Sequence, residues 1–292
     1  MRVTQAEMYR NFLSDLETLN ENLTGISRQV SSGKKLTQLS DSPGGSADLV
    51  SLTELASKIN LYRTNADTGS YFLGVTESAL SEVNDLVTSV YSKGSEAASE
   101  AVGADARATL ALEIRSLRDQ ILALANSQAR GRYIFAGSAV TSAPFVIAGD
   151  SVANSGNDDV NSVLVSDGVE VQQGVPVSEA FDSIFAAIQT LLVAIDGNDV
   201  SGIGTALSQF SSALSDLGQV RGQVGVNLSL LDNVKANLDS QEASLKQRRS
   251  GIEDADMAKA IVQLNQTQTA LKAAISAGGS ILSQPNLFDI LG

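Results

Sequence analysis

Apolar residues recur at alternating steps of three and four through most of this 292-residue chain. The first run occupies Tyr9, Phe12, Leu16, Leu19, Leu23, Ile26 and Val30. A repeat of about 3.5 residues keeps one stripe of a helix against a partner helix, as in a left-handed coiled coil. The spacing therefore predicts paired helices as the main structural element.

The same spacing predicts five more helical segments, at about residues 47–93, 110–128, 178–195, 203–245 and 257–282. Side chains that can cap a helix start precede several of the predicted helices, among them Thr4 with Glu7, Ser178, and Ser250 with Glu253. A helix over residues 47–93 would be roughly 70 Å long. Such lengths favour an elongated, mainly α rod over a compact globule.

The middle of the chain has a different pattern. Short Val- and Ile-rich segments broken by Gly, Asn and Asp follow residue 131 and continue to Pro176. Two of them, residues 163–165 and 169–171, flank Ser166-Asp167-Gly168, and Asp-Gly favours the tight turn of a β-hairpin. We expect a small β-rich insertion at residues 136–175 that packs against the helices.

These patterns predict three domains. Residues 1–42 and 250–292 would form a terminal coiled-coil domain, and residues 43–135 and 176–249 a long helical rod that carries the β insertion. In the rod, long antiparallel helices can bury their stripes against each other. A terminal pair of helices leaves apolar surface in water, so we expect its stripes to contact other molecules.

The expected assembly surface consists of apolar residues near both chain ends: Tyr9, Phe12, Leu16, Leu19, Leu23, Ile26, Ile261, Leu264, Leu271, Ile275, Leu287 and Phe288.

A break at residues 29–50 separates the first stripe from the second. It contains Gly33 and the run Pro43-Gly44-Gly45, which allow the chain to change direction. Pro43 suits the first turn of the following helix, with Ser42 as its cap. We expect a bend between the terminal domain and the rod.

Composition argues against several functions. With 20 basic and 33 acidic residues, the formal charge is −13, the opposite of what nucleic-acid binding requires. The absence of Cys and His removes disulfides, thiol chemistry and the usual zinc ligands. The most apolar run, residues 184–195, is too short to cross a bilayer, and no signal peptide is evident at the start. The acidic cluster at residues 253–256 is explained by helix capping, so we predict no catalytic, metal or cofactor site.

Several stretches together resemble the bacterial flagellin superfamily, and especially its hook-associated branch. They are residues 1–3 (MRV), 30–35 (VSSGKK), 40–43 (SDSP), 131–138 (GRYIFAGS), 252–258 (IEDADMA) and 287–291 (LFDIL). The resemblance covers roughly residues 1–145 and 215–292, but not the middle of the insertion. Where members of the family often have Asp-Asp and Ala, this chain has Asp41 to Gly45.

The resemblance implies a structural subunit of the flagellum that adapts the hook to the filament. It implies four kinds of partner: further copies of the chain in a ring, hook-associated protein 1, flagellin, and an export chaperone. It also implies an extracellular location, reached by flagellar type III export without a cleaved signal peptide. The terminal domain would join an inner tube, and the break would lead to an outer rod.

Two other functions fit parts of the pattern. Flagellin itself, the filament subunit, shares the terminal motifs. A cytoplasmic coiled-coil signalling rod would also show long heptads. An enzyme hidden in the insertion is the weakest alternative, because residues 139–176 lack His, Cys, Lys and Arg.

Overall fold

The computed structural model describes residues 5–36, 42–149, 151–174, 176 and 181–282, and the side chains of all of these except residues 5, 6 and 280–282. The described residues form α1 (Gln5–Ser32), α2 (Pro43–Ala97), α3 (Ala104–Ala125), α4 (Ser183–Asp196), α5 (Val200–Glu253) and α6 (Met257–Leu282). Their strands are β1 (Gln128–Ala129), β2 (Arg132–Tyr133), β3 (Phe145–Ala148), β4 (Ser151–Asn154), β5 (Ser162–Ser166) and β6 (Val169–Gln172). The predicted class, mainly α with a small β insertion, is confirmed.

The chain divides into two compact units. One, the terminal unit, comprises Met1–Lys58 and Gln241–Gly292, and the other, the central unit, comprises Ile59–Ser240. No helix in the described part of the chain is long and apolar enough to span a membrane.

The core of the central unit follows the heptad stripes. The stripe predicted for the second helix consists of Leu52, Leu55, Ile59, Tyr62, Ala66, Gly69, Leu73, Thr76, Leu80, Val83, Val87 and Val90. From Ile59 to Val90, each of its residues is buried except Tyr62, which is half-buried. The stripe includes Gly69 and Thr76, which interrupt the apolar pattern in the sequence. Thr76 satisfies its hydroxyl by donating to the carbonyl oxygen of Phe72 at 2.9 Å. These stripes are therefore internal, as predicted for the rod helices.

Ion pairs and close contacts join α2 to α5 within the central unit. The pairs are Arg63 with Asp239, Lys235 with Asp67 at 3.2 Å, and Arg221 with Glu77 at 2.6 Å. The residue number on α5 falls as the number on α2 rises, so the two helices run antiparallel. A methyl group at Gly94 would lie 3.0 Å from both Leu191 and Leu207, which shows how closely α2 approaches α4 and α5 there.

The strands form three separate antiparallel pairs, β1–β2, β3–β4 and β5–β6. The predicted hairpin at Asp167-Gly168 is confirmed: Ser166 pairs with Val169, and Gly168 has φ +73°. Helix α3 ends at Ala125, about three residues before the predicted end near residue 128. Asn126 explains the early stop, because its side chain donates to the carbonyl oxygen of Phe145 at 2.8 Å and accepts from its N–H at 3.1 Å.

One predicted helix start is wrong. Ser250 and Glu253 lie in the last turn of α5 and do not begin α6. The cap of α6 is Asp256, whose Oδ1 accepts the backbone N–H of Lys259 at 3.1 Å. Two further expected caps, Thr4 and Ser178, lie outside the described residues.

Candidate assembly surface of the terminal unit

Helices α1 and α6 pack against each other, which confirms the predicted pairing of the N- and C-terminal helices. Gly278 of α6 is buried in this contact. A Cβ atom there would overlap the ring of Phe12. Because Gly278 has no side chain, the ring of Phe12 can occupy the space beside it.

The pair buries its apolar stripes incompletely. Seven of the expected assembly residues are half-buried: Phe12, Leu16, Leu19, Leu23, Ile26, Leu264 and Leu271. Three are exposed, Tyr9 at 45%, Ile261 at 46% and Ile275 at 58%. Leu287 and Phe288 lie outside the described residues. The stripes thus serve the α1–α6 contact in part and leave apolar surface in water.

Further exposed apolar side chains flank these stripes. Met8, Leu13 and Val262 are each about half exposed, and sequence reasoning missed them. The sequence does contain a sign of them, because each is the direct neighbour of a stripe residue and so widens the apolar face of its helix. Among the described residues of the terminal unit, Leu245 and Ala260 are the only apolar side chains that are buried, with 6% and 3% of their surface exposed. This surface has the character of an interface rather than a solvated face.

The bend after α1 is a defined structure. Gly33 has φ +71° and donates its N–H to the carbonyl oxygen of Gln29 at 2.9 Å, a left-handed ending typical of helices. Its own carbonyl oxygen accepts the N–H of Ala255 at 2.8 Å, and the N–H of Lys35 donates to the carbonyl oxygen of Glu253 at 2.8 Å. The segment after α1 is therefore bonded to the segment between α5 and α6. We call residues 33–35 and 253–255 the clamp.

Charges reinforce the clamp around one carboxylate. Glu253, whose side chain is only 12% exposed, accepts from Lys34 Nζ and from Arg249 Nε at 2.7 Å. The hydrogen bonds from Arg249 and Lys34 hold the pKa of Glu253 below its usual value. Lys35 Nζ adds a bond to the carbonyl oxygen of Gly251 at 2.7 Å. The acidic cluster is thus used structurally, since Asp254 accepts from Ser250 and Asp256 caps α6.

The Pro43-Gly44-Gly45 run begins α2. Ser42 caps it as predicted: its Oγ accepts the N–H of Gly45 at 3.2 Å, and its carbonyl oxygen accepts the N–H of Ser46 at 2.8 Å. A Cβ atom at Gly45 would lie 3.1 Å from Leu36, whereas one at Gly44 would meet nothing within 4 Å. Gly45 thus provides room for Leu36, and Gly44 is open to solvent.

The described residues contain no group of three or more carboxylates placed to hold a metal ion. What the terminal unit offers is an apolar helix pair fastened at one end by the clamp. Such a surface can bind other helices.

Two family models match the chain. The bacterial flagellin N-terminal helical region matches residues 3–140, and the bacterial flagellin C-terminal helical region matches residues 200–289. The first match contains α1, α2 and α3, and the second contains α5 and α6. Together they account for both halves of the terminal unit.

Similar proteins come from flagella. Flagellar hook-associated protein 3 of Salmonella typhimurium is 25% identical over 300 residues, covering 94% of this chain and 95% of that protein. Flagellin FlaB1 of Treponema pallidum is 25% identical over 260 residues, covering 88% and 86%. A solved structure of a putative flagellar hook-associated protein from Vibrio parahaemolyticus superposes with a TM-score of 0.68 at 20% identity, covering 73% of this chain and all of that one. This last likeness shows a shared fold.

Proposed function

The chain belongs to the bacterial flagellin superfamily, and on that premise we propose that it is a structural subunit of the flagellum that forms the hook–filament junction. The observation that carries the proposal is the match to hook-associated protein 3, which extends over nearly the full length of both chains. In this role the protein performs no catalysis.

The terminal unit supplies the means of assembly. Its helices leave the stripes half-buried and several apolar side chains exposed, so that further helices can complete their burial. In the proposed junction, residues 1–42 and 250–292 join the inner tube and the long helices form an outer layer. The bend between them is at Gly33 and at Pro43, Gly44 and Gly45. The assembly residues are those of the stripes on α1 and α6, together with Leu287 and Phe288.

The proposed partners follow from this position. Copies of the chain form a ring with hook-associated protein 1 on one side and flagellin on the other. Before assembly, the chain binds an export chaperone and leaves the cell without a cleaved signal peptide. Contacts between copies in such a ring are heterologous, because one surface of each copy binds a different surface of the next copy.

Deletion of the gene tests the junction role. We expect cells with intact hooks and no filaments, with flagellin released into the medium. Normal filaments in a clean deletion strain would overturn the proposal. Complementation with the unaltered gene is the control, because it must restore filaments.

A second candidate is flagellin itself, which the match to FlaB1 favours. The two roles differ in copy number and place. Immunogold labelling of intact flagella should mark one zone at the filament base for a junction protein. Labelling along the whole filament would instead assign the chain as a filament subunit.

A further inference from the structure

Methionine has a restricted distribution in this chain. The sequence contains three methionines, Met1, Met8 and Met257, and all of them belong to the terminal unit. Cysteine, histidine and tryptophan, which also react with oxidants, are absent from the whole sequence. The thioether groups of methionine are therefore the groups of this chain that peroxide oxidises most readily, and the central unit has none of them.

Two of the three thioethers are accessible in the folded chain. Met8 is 50% exposed, and Met257 is 39% exposed. Met1 lies outside the described residues. An oxidant must reach the sulfur atom to react with it, so two side chains with this degree of exposure are open to attack.

Met8 and Met257 lie at opposite ends of the α1–α6 pair. Phe12, near the start of α1, packs on Gly278, near the end of α6. The clamp joins the end of α1 to the segment that precedes α6, so the two helices run antiparallel. Met8 precedes Phe12 by about one helical turn, and Met257 is the first residue of α6. A change at both methionines thus alters both ends of the helix pair.

Both methionines extend the apolar face that the two helices leave in water. Met8 is the direct neighbour of Tyr9 in α1, and Met257 lies about one helical turn before Ile261 in α6. A thioether suits such a face, because it is apolar and adapts to irregular contacts. A sulfoxide does not suit it, since its oxygen is polar and loses its water when another molecule covers the surface.

We propose that Met8 and Met257 are oxidation sites through which hydrogen peroxide blocks assembly of the chain. Each sulfur takes one oxygen atom from peroxide and is oxidised by two electrons, while the O–O bond breaks and water is released. The reaction acts on chains that are not yet assembled, because assembly covers the apolar face. The inference rests on the proposed assembly role, and it adds a chemical modification that inactivates the terminal unit alone.

Peroxide treatment of the purified chain tests whether the sites react. Mass spectrometry of its peptides should show the gain of one oxygen atom at Met8 and at Met257. The melting temperature of the central unit should stay unchanged in circular dichroism, because that unit contains no methionine. Peptides that remain unoxidised at the two sites, or a central unit that unfolds during the treatment, would overturn the proposal.

Filament formation in cells tests the consequence. The chain is supplied from an inducible gene in the deletion strain, with or without sublethal peroxide, and filaments are counted relative to the same strain without peroxide. We expect the unaltered chain to lose filaments by about tenfold or more, because an unpaired polar group in an interface is costly enough for that factor. The double variant Met8→Leu with Met257→Leu, which conserves apolar volume, should keep its filaments.

The matched control places a thioether elsewhere in the chain. Val226 of α5 is an apolar residue of the central unit and is 62% exposed. Adding Val226→Met to the double variant should give a chain that peroxide oxidises in the central unit but that still forms filaments. Equal losses with the unaltered chain and the double variant, or a loss caused by Val226→Met, would overturn the proposal. Normal filaments before induction would instead overturn the assembly role itself.

Discussion

Two adjacent glycines in α6 meet different surroundings. A Cβ atom at Gly278 would overlap the Phe12 ring, whereas one at Gly279 would meet nothing within 4 Å. We expect Gly278→Ala to destabilise the α1–α6 pair by about 1–3 kcal/mol, because the ring must move out of a filled space. Hydrogen exchange of the α6 amides measures the change.

Gly279→Ala is the matched control. It makes the same chemical change in the same helix, and it should stabilise α6 by about 0.5–1 kcal/mol because alanine restricts the unfolded chain more than glycine does. Equal effects of the two substitutions would mean that Phe12 does not pack on Gly278.

Glu253 ties the clamp together through its charge. In Glu253→Gln, Lys34 and Arg249 lose their carboxylate partner, and we expect the amides of Lys35 and Ala255 to exchange roughly two to five times faster, as suits a partly exposed pair worth about 0.5–1 kcal/mol. Glu21→Gln, which neutralises an exposed carboxylate of α1, should leave both amides unchanged.

The same carboxylate makes the clamp sensitive to acid. Because its pKa is lowered in the folded state, its charge stabilises the clamp above the ordinary pKa of glutamate. That stabilisation is lost as the pH falls through the lowered pKa. Protection factors of the Lys35 and Ala255 amides should therefore fall in acid for the unaltered chain, and much less for Glu253→Gln. Parallel acid profiles would show that another group controls the clamp.

At the scale of elements, the terminal helices and the central helices should respond differently to substitution. Leu16→Asp or Leu264→Asp places a charge on a half-buried stripe, at a cost of several kcal/mol once another molecule excludes water from it. We expect filament attachment to fail in cells while the exported variant remains detectable. The melting temperature of the central unit should change little, because the buried side chains of its core come from residues 59–240.

Leu73→Ala provides the contrast. Leu73 is fully buried in the core of α2, and its loss should cost about 2–5 kcal/mol of folding stability. A sharp fall in melting temperature for Leu16→Asp, with normal filaments, would show that the terminal stripes are internal core.

Local patterns in the sequence were sufficient for some elements and not for others. Heptad spacing predicted the burial of Leu73 and Leu80, and the turn preference of Asp167-Gly168 predicted a hairpin, because both depend on neighbouring residues. The β1–β2 turn was missed because Arg130 is not a typical turn residue. The clamp was missed because Gly33 meets Ala255 across more than two hundred residues, and no local pattern encodes that contact.

The sequence likewise predicts some features of the candidate assembly surface and not others. The stripe through Leu16 and Leu264 follows from spacing alone. The exposure of this stripe does not follow from spacing, because it depends on how α1 and α6 pack around Gly278. Ser250 and Glu253 show the opposite error, because they match a capping pattern but lie in the last turn of α5, where Glu253 pairs with Lys34 and Arg249.

At the scale of the whole molecule, buried apolar side chains are distributed unevenly between the two units. The central unit contains nearly all of those described, whereas the terminal unit contributes Leu245 and Ala260. In limited proteolysis of the isolated chain, we expect cuts in α1 and α6 first, followed by a resistant fragment close to residues 59–240. Mass spectrometry of the fragments identifies the sites. Early cleavage within residues 59–130, with α1 and α6 intact, would contradict this order.

The long sequence separation within the clamp also affects the order in which the two units fold. Lys34 and Glu253 are separated by 219 positions, so the terminal unit has a very high contact order, while the three β-hairpins need only nearby sequence. Closing so long a loop costs about 2 kcal/mol more in chain entropy than closing one of twenty residues. An already folded central unit shortens the effective loop, so it should form first and act as a template. If the chain is exported with its N-terminus first, α1 has no partner until α6 is also outside. The apolar α1–α6 pair would therefore form last.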